Sequence, residues 1–335
     1  MKNKDFSFYL TKFFSEYLPK HKNASKNTIL LYRDCFVLFL EFCKQEKSIN
    51  IDQISFNDIS QNLILEFLNW LENIRKSSTQ TRNQRLAAWK SFCKFVQFEE
   101  PQYFELCSNI RTIEPKKYNK RSIDYLSIDA IKILLRQPNS SNKNELRDLA
   151  LLSLLYDSGA RVQELIDLQV CSLFLNTENK VCVTGKGNKT RYIPLNKEVT
   201  KILKKYISIF RLDNTDLLFT NKYGQKLTRQ GVKYIINKYI QRAQKENYKL
   251  YSNIRISPHC LRHSKAMHLL EGNINLIYIR DFLGHTSVIT TEIYAKANPE
   301  IRRKQIEKCS KNIVKNSKFS KDERSKLLKF LKEEL

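Results

Sequence analysis

The sequence predicts a mostly α-helical protein with a small β-sheet, organised as two domains. A chain of 335 residues is long for a single hydrophobic core. Apolar residues recur at three- and four-residue spacing through most of the chain, which is typical of helices that bury one face. All seven glycines lie at or after Gly159, so the first part of the chain is expected to be helical throughout and the sheet to lie in the second.

The first domain, residues 1–112, is predicted to be a helical domain. Its helices are indicated by NTILLYRDCFVLFLEFCKQ, SQNLILEFLNWLENIRK and QTRNQRLAAWKSFCKFVQF. Ser25 and Ser60 precede the first two and are expected to cap them. Residues 113–126 are rich in cations, contain one proline and lack periodicity, which predicts an exposed basic linker.

The second domain, residues 127–300, is predicted to be mostly helical. Its helices are indicated by LSIDAIKILLRQ, NELRDLALLSLLYDSG, KEVTKILKKYISIF, RQGVKYIINKYIQRAQ, HCLRHSKAMHLLEG and INLIYIRDFLGH. Ser257-Pro258 is expected to begin the helix of HCLRHSKAMHLLEG, and Ser287 is expected to cap the helical turns that carry Tyr294. Between them, KVCVTGKGNKTRYIPL alternates β-branched residues around a Gly-Lys-Gly-Asn turn, which predicts a β-hairpin ending at Pro194. Residues 301–335 form a basic tail, and its last segment, KDERSKLLKFLKEEL, is predicted to be a helix with one apolar stripe.

The charge of the chain indicates a polyanionic partner. Lys and Arg number 59 against 34 acidic residues, a net charge of +25, of which residues 113–335 carry +21. There is no run of 18 apolar residues and no signal-peptide core, so we expect a soluble, intracellular protein without a membrane partner. The eight cysteines form no CxxC pair and are expected to be reduced and mostly buried, without a disulfide framework or structural zinc.

Four short segments of the second domain carry polar residues at the ends of predicted elements. SGARVQELIDL contains Arg161, GKGNK contains Lys186 at the tip of the hairpin, SPHCLRHSKAMHLL contains His259 and Arg262 on one helix face, and LGHTSVITTEIY contains His285 and Tyr294. Taken singly, three of these segments have an ordinary structural explanation, whereas SPHCLRHSKAMHLL is less easily explained by structure alone. Arg161 is placed to pair with Glu164, Lys186 to be a solvated turn residue, and Tyr294 to pack in a core.

Together these residue types suit the cleavage of a phosphodiester. Two arginines can donate paired hydrogen bonds to non-bridging oxygens and stabilise a pentacovalent transition state. A tyrosine can attack phosphorus and a lysine can protonate the leaving oxygen. Cationic neighbours lower the free-energy cost of the phenolate. No cluster of paired acids is evident in these segments, so neither a metal nor another cofactor is expected.

The four segments resemble, in order and spacing, the motifs of the tyrosine recombinases over about residues 125–298, and the preceding helical domain resembles their core-binding domain. The resemblance implies that Arg161 and Arg262 clamp the phosphate, Lys186 protonates the leaving 5′ oxygen, His259 transfers the nucleophile's proton, His285 hydrogen-bonds the phosphate, and Tyr294 forms a 3′-phosphotyrosyl link. Glu164 is expected to fix local geometry and His268 to pack. For His263, a buttressing and a purely structural role are both open.

The resemblance also implies how the protein acts. We expect it to close as a clamp around double-stranded DNA at a specific recombination site. Four protomers would assemble on paired sites in the bacterial cytoplasm at the nucleoid, with or without a second recombinase or accessory factor. The C-terminal helix is expected to dock on a neighbouring protomer, with packing on its own domain as the alternative. Integration and excision of a mobile element is favoured slightly over Xer-type chromosome-dimer resolution. A type IB topoisomerase and a non-enzymatic DNA-binding regulator remain as alternatives.

Overall fold

A computed structural model of the chain describes residues 5–50, 52, 54–118, 123–176, 178–185, 187–285, 287 and 291–294. The chain divides into two compact units, Met1–Lys120 and Arg121–Leu335. About 64% of the described residues are helical, and a three-stranded sheet lies in the second unit. The predicted fold class, mostly helical with a small sheet, is therefore confirmed. Among the described residues, no helix is both long and apolar enough to cross a membrane.

The first unit is built from α-helices α1 to α5: Phe6–Lys12, Lys26–Glu46, Gln61–Asn73, Thr79–Glu99 and Phe104–Thr112. The three predicted helices correspond to α2, α3 and α4. The Ser25 and Ser60 hydroxyls each accept a backbone N–H from the following turn, at 3.2 and 3.1 Å, so both predicted caps are confirmed. The short helices α1 and α5 were not identified from the sequence.

The core of the first unit is largely aromatic. Its large buried rings include Phe13, Phe39, Phe67, Trp89 and Phe92. The ring centroids of Phe39 and Trp89 are 4.7 Å apart at 77°, an edge-to-face contact that aromatic pairs favour. This unit is thus held together by rings contributed by its α-helices and by the π-helix Phe13–His21 that follows α1.

The second unit contains helices α6 to α12: Ile128–Arg136, Lys143–Ser158, Val162–Ile166, Lys197–Phe210, Arg229–Glu246, Pro258–Glu271 and Leu276–Leu283. Residues 291–294 are also helical. All six helices predicted in this domain are present. Its main core is aliphatic, with α7 packed against both α9 and α11.

The sheet of the second unit is antiparallel, with strands β1 (Leu173–Phe174), β2 (Lys180–Thr184) and β3 (Thr190–Pro194) in that order. β2 and β3 form the predicted hairpin, and Pro194 ends it. Val181 lies opposite Ile193, and both are fully buried, so one face of the hairpin belongs to the core. The two-residue strand β1 was not predicted, because so short a segment carries no alternation to read.

Candidate active site

The first part of the candidate site is the turn between α7 and α8. Gly159 ends α7 with φ at +55°, and a Cβ there would lie 3.2 Å from carbons of Phe282 and Leu283, so the turn requires glycine. Arg161 is the N-cap residue of α8, and its side chain is 36% exposed. The Glu164 carboxylate accepts the Arg161 backbone N–H at 2.9 Å and its Nη1 at 2.7 Å. The salt bridge considered from the sequence is therefore present.

Glu164 is buried and binds a second arginine as well. Arg191, on β3, donates from Nη1 to Oε1 at 3.2 Å and from Nη2 to Oε2 at 2.8 Å. Burial raises the pKa of Glu164, but the hydrogen bonds from Arg191 and Arg161 more than offset it, so the pKa lies below its usual value. Glu164 is a fixed anion between two cations, which agrees with the geometric role expected for it.

The second part of the site is the start of α11. Ser257 caps this helix and Pro258 is its first residue, as predicted. Arg262 is only 3% exposed and donates to the carbonyls of Gly159 and Leu283, both at 2.7 Å. Burial lowers its pKa to about 10, and the charge of the neighbouring Arg161 acts in the same direction. Arg262 therefore stays protonated at neutral pH and is held by the ends of two other helices.

The third part of the site surrounds Tyr294, which is 1% exposed. Its hydroxyl lies 2.9 Å from Nδ1 of His263. The ring of His285 is nearly parallel to that of Tyr294, with centroids 6.4 Å apart, and its Nδ1 lies 3.0 Å from Oγ1 of Thr291. Two imidazoles thus flank the phenol.

Burial lowers the pKa of both His263 and His285 to about 4. The neighbouring His259 is the second cause of this lowering for His263, and Arg262 is the second cause for His285. His259 is more exposed, and its pKa is lowered by partial desolvation and then by Arg262 and Arg161. The pKa of each imidazole lies below 6.5, so all three are mainly neutral at pH 7 and able to accept a proton.

Burial also raises the pKa of Tyr294, whereas Arg262 and Arg161 lower it by a smaller amount. The expected effect of cationic neighbours is present. The net pKa is nevertheless raised, because the loss of hydration on burial outweighs the attraction of the two guanidinium groups. A neutral phenol in such a pocket needs a base that takes its proton as it attacks.

Arg161, Arg262, His285 and Tyr294 come together in this region, and His259 lies on the same helix face as His263, with ring centroids 6.4 Å apart. Lys186, residues 288–290 and the tail 301–335 lie outside the described residues. The position of Lys186, the capping of the last helix by Ser287 and the docking of the C-terminal helix therefore stay predictions. No group of three or more His, Cys, Asp or Glu side chains in the described part of the chain is arranged to hold a metal ion.

Three contacts were missed from the sequence. Arg191 was overlooked, although strand alternation places it on the same face as the buried Ile193, an unusual place for an arginine. The contact between His263 and Tyr294 had no signal beyond the helical spacing of His263 from His259. His268 does more than pack, since its Nδ1 lies 2.9 Å from the hydroxyl of Tyr156.

Comparison with known proteins agrees with this geometry. Residues 124–300 match the phage integrase family, and residues 11–100 match the phage integrase N-terminal SAM-like domain. The putative integrase/recombinase y4rC of Sinorhizobium fredii is 32% identical over 322 residues, 96% of each chain. The tyrosine recombinase XerD of Staphylococcus epidermidis is 33% identical over 294 residues, 86% of this chain and 94% of that one.

Two solved structures show the shared fold. XerH recombinase bound to palindromic difH substrate, in a post-cleavage complex, aligns with a TM-score of 0.67 and 22% identity over 86% of this chain and 82% of that one. The Tn1549 transposon integrase in complex with a circular intermediate DNA aligns with a TM-score of 0.69 and 15% identity over 89% and 98%. The family match and the two relatives show that the chain belongs to the phage integrase family of tyrosine recombinases, which are site-specific DNA strand-exchange enzymes.

Proposed function

We propose that Tyr294 is the nucleophile of this recombinase. Its hydroxyl oxygen attacks the scissile phosphorus, the bond from phosphorus to the 5′ oxygen breaks, and the 3′ phosphate stays linked to the tyrosine. The leaving 5′ oxygen takes a proton from Lys186, and attack by a 5′-hydroxyl on the phosphotyrosine reverses the reaction without a cofactor. The observation that supports the assignment best is the 2.9 Å contact between the Tyr294 hydroxyl and the mainly neutral imidazole of His263.

Arg161 and Arg262 bind the scissile phosphate in this proposal. The two guanidinium groups are tied to consecutive carbonyls, Arg262 to Leu283 at 2.7 Å and Arg161 to Gly284 at 3.2 Å. Arg262 is thereby fixed before substrate arrives, and the partly exposed Arg161 keeps donors for it. His285, beside Tyr294, supplies a further hydrogen bond to the phosphate.

We assign transfer of the Tyr294 proton to the pair His259 and His263. The resemblance pointed to His259, but His263 makes the contact in this structure, and one turn of α11 separates the two rings. His263 then takes the phenolic proton as Tyr294 attacks, and the more exposed His259 exchanges it with solvent or DNA.

The partner in this proposal is double-stranded DNA carrying a specific recombination site, and the assembly is a homotetramer on paired sites. The net charge of +25, concentrated after residue 112, supports a large phosphate contact. We place the core-binding domain at residues 1–112, the basic linker at 113–126 and the catalytic domain at 127–300. The tail 301–335 reaches the neighbouring protomer, and the assembly is compatible with a second recombinase or accessory factor.

The test is covalent capture. Wild-type protein and Tyr294→Phe are incubated with fragmented genomic DNA of the source organism and with nicked fragments that trap the intermediate, then denatured in detergent. Only the wild type should yield protein–DNA adducts, and the linked peptide should contain Tyr294. Adducts without sequence preference would indicate a topoisomerase activity instead, and their absence on nicked DNA would refute the assignment.

We further propose that the recombinase integrates and excises a mobile element. The full-length match to a putative integrase/recombinase supports this role, whereas the match to XerD supports chromosome-dimer resolution. Sequencing the captured adducts separates the two. Adducts at the ends of repeated elements would support the first role, and a single chromosomal locus would support the second.

A further inference from the structure

Three arginines donate to three consecutive backbone carbonyls at the C-terminal end of α12. The Phe282 carbonyl accepts Nε of Arg191 at 3.0 Å, the Leu283 carbonyl accepts Arg262, and the Gly284 carbonyl accepts Arg161. Arg262 and Arg161 already have a role in the proposed reaction. Arg191 has no such role, although it donates to the same run of carbonyls as the other two arginines and binds the same Glu164 carboxylate as Arg161.

The charges explain why a third arginine is needed. The Glu164 side chain is 4% exposed, so an ion pair with Arg161 alone would cancel most of the positive charge of Arg161 in a medium of low dielectric constant. A phosphodiester carries one negative charge and gains more as the tyrosine oxygen attacks and gives up its proton, so the site needs a net positive charge. With Arg191 added, two guanidinium groups face one carboxylate and the cluster keeps a net charge of +1.

The hairpin that carries Lys186 is tied to the same cluster. A Cβ on Gly185 would lie 3.2 Å from Oε1 of Glu164 and 3.6 Å from Nη1 of Arg191. The Gly185 N–H also closes the turn by donating to the Lys189 carbonyl at 2.8 Å. Gly185 therefore packs directly on the pair formed by Arg191 and Glu164, and β3 supplies Arg191 itself.

From this geometry we propose that Arg191 is a positioning residue for strand cleavage: it neutralises Glu164, so that Arg161 keeps its positive charge for the scissile phosphate. The inference rests on the proposed function, because it assumes that Arg161 binds the phosphate. Arg191 is not assigned a contact with DNA, and it acts through the carboxylate that it shares with Arg161.

The experiment measures single-turnover adduct formation on nicked, site-containing DNA captured as described above. Arg191→Gln should slow adduct formation by about 100-fold, because Glu164 then neutralises Arg161. The double variant Glu164→Gln/Arg191→Gln removes the anion as well and should recover at least about 10-fold of that loss. Arg242→Gln is the matched control, because Arg242 also donates two hydrogen bonds to one carboxylate, that of Glu145. This variant should cleave at the wild-type rate.

A pH profile separates charge from structure. In Arg191→Gln the buried carboxylate has one partner fewer, which raises its pKa, so acidification should protonate it and restore Arg161. The deficit relative to wild type should therefore shrink between about pH 8 and about pH 5.5, and that of the double variant should not change. Thermal unfolding and DNA binding are measured on every variant, and Arg191→Lys, which keeps the charge, should lose less activity than Arg191→Gln.

The outcomes are distinct. Wild-type cleavage by Arg191→Gln, a double variant no faster than Arg191→Gln, or a deficit that does not vary with pH would each overturn the role of Arg191. Absence of adduct with the wild type, or its presence with Tyr294→Phe, would instead overturn the proposed function.

Discussion

Two buried arginines, one in each unit, show how differently the chain uses the same feature. Arg82 and Arg262 both lie near the start of a long helix, and both are 3% exposed. Burial is the main reason that the pKa of each guanidinium is lowered. Arg262 donates to the carbonyls of two other segments at 2.7 Å, whereas Arg82 donates to Asn83 at 3.1 Å and its Nε has no partner.

Burial of a charge is therefore not itself a sign of a site. What distinguishes Arg262 is that other elements fix it and that it lies among neutral imidazoles and a buried phenol. The two units also differ in how many charged side chains they bury. Among the described residues, the first unit buries Arg82, and the second buries Asp148, Asp157, Glu164 and Arg262.

The largest expected effect tests this pair of arginines directly. Arg262→Gln should slow adduct formation by about 1,000-fold, because it removes a preorganised donor to the transition state. Arg82→Gln should leave the rate at saturating DNA unchanged, since Arg82 lies in the first unit and has no role in the proposed reaction. The measurement is the single-turnover rate on nicked DNA with unfolding temperatures alongside. Equal losses in the two variants would mean that burial alone explains both.

The next effect concerns two glycines with left-handed backbone. A Cβ on Gly284 would lie 2.8 Å from Nη1 of Arg191, whereas one on Gly224 would meet nothing within 4 Å. Both have positive φ, so alanine at either position costs about 1 kcal/mol of stability from the backbone alone. Gly284→Ala should in addition displace Arg191 and slow cleavage by roughly 10-fold. Similar rates for Gly284→Ala and Gly224→Ala would contradict the tight packing at Gly284.

Most of the fold could be predicted because its signals are local. The helix caps at Ser25, Ser60 and Ser257 require one side chain and the next turn, and the hairpin requires alternation on both sides of a turn. What could not be predicted depends on tertiary packing. Strand β1 is two residues long, and α1 and α5 are short helices whose apolar residues pair with distant parts of the core.

The candidate site divides in the same manner. The Arg161–Glu164 pair follows from helical spacing, whereas the bond between Arg191 and Glu164 joins residues 27 apart in sequence and that between Arg262 and Gly159 joins residues 103 apart. Nor does spacing show how far desolvation outweighs charge. The net rise in the pKa of Tyr294 depends on burial that only the folded chain defines.

The third effect is the pH dependence of stability. Burial lowers the pKa of His263 from 6.5 to about 4, so the unfolded chain takes up its proton first as pH falls. The stabilisation by the neutral imidazole is complete above pH 6.5 and is lost as pH approaches 4. The unfolding temperature of the wild type should fall as the pH is lowered from 6.5 to about 4, and in His263→Gln this fall should be smaller by roughly 5 °C. His21→Gln, an exposed site in the first unit, is the control and should leave the slope unchanged.

The smallest effect compares two serine caps, one in each unit. The Ser60 hydroxyl accepts the N–H of Leu63 at 3.1 Å, and that of Ser257 accepts the N–H of Cys260 at 3.3 Å. Alanine at either position should cost about 1 kcal/mol of stability, because each leaves one helix donor without its side-chain partner. Only Ser257→Ala should also slow cleavage, by roughly 3-fold, because α11 holds Arg262 and His263 within its first turns. If Ser60→Ala slowed cleavage at saturating DNA as much as Ser257→Ala, the rate would follow global stability. The proposed chemistry could then not be assigned to the second unit alone.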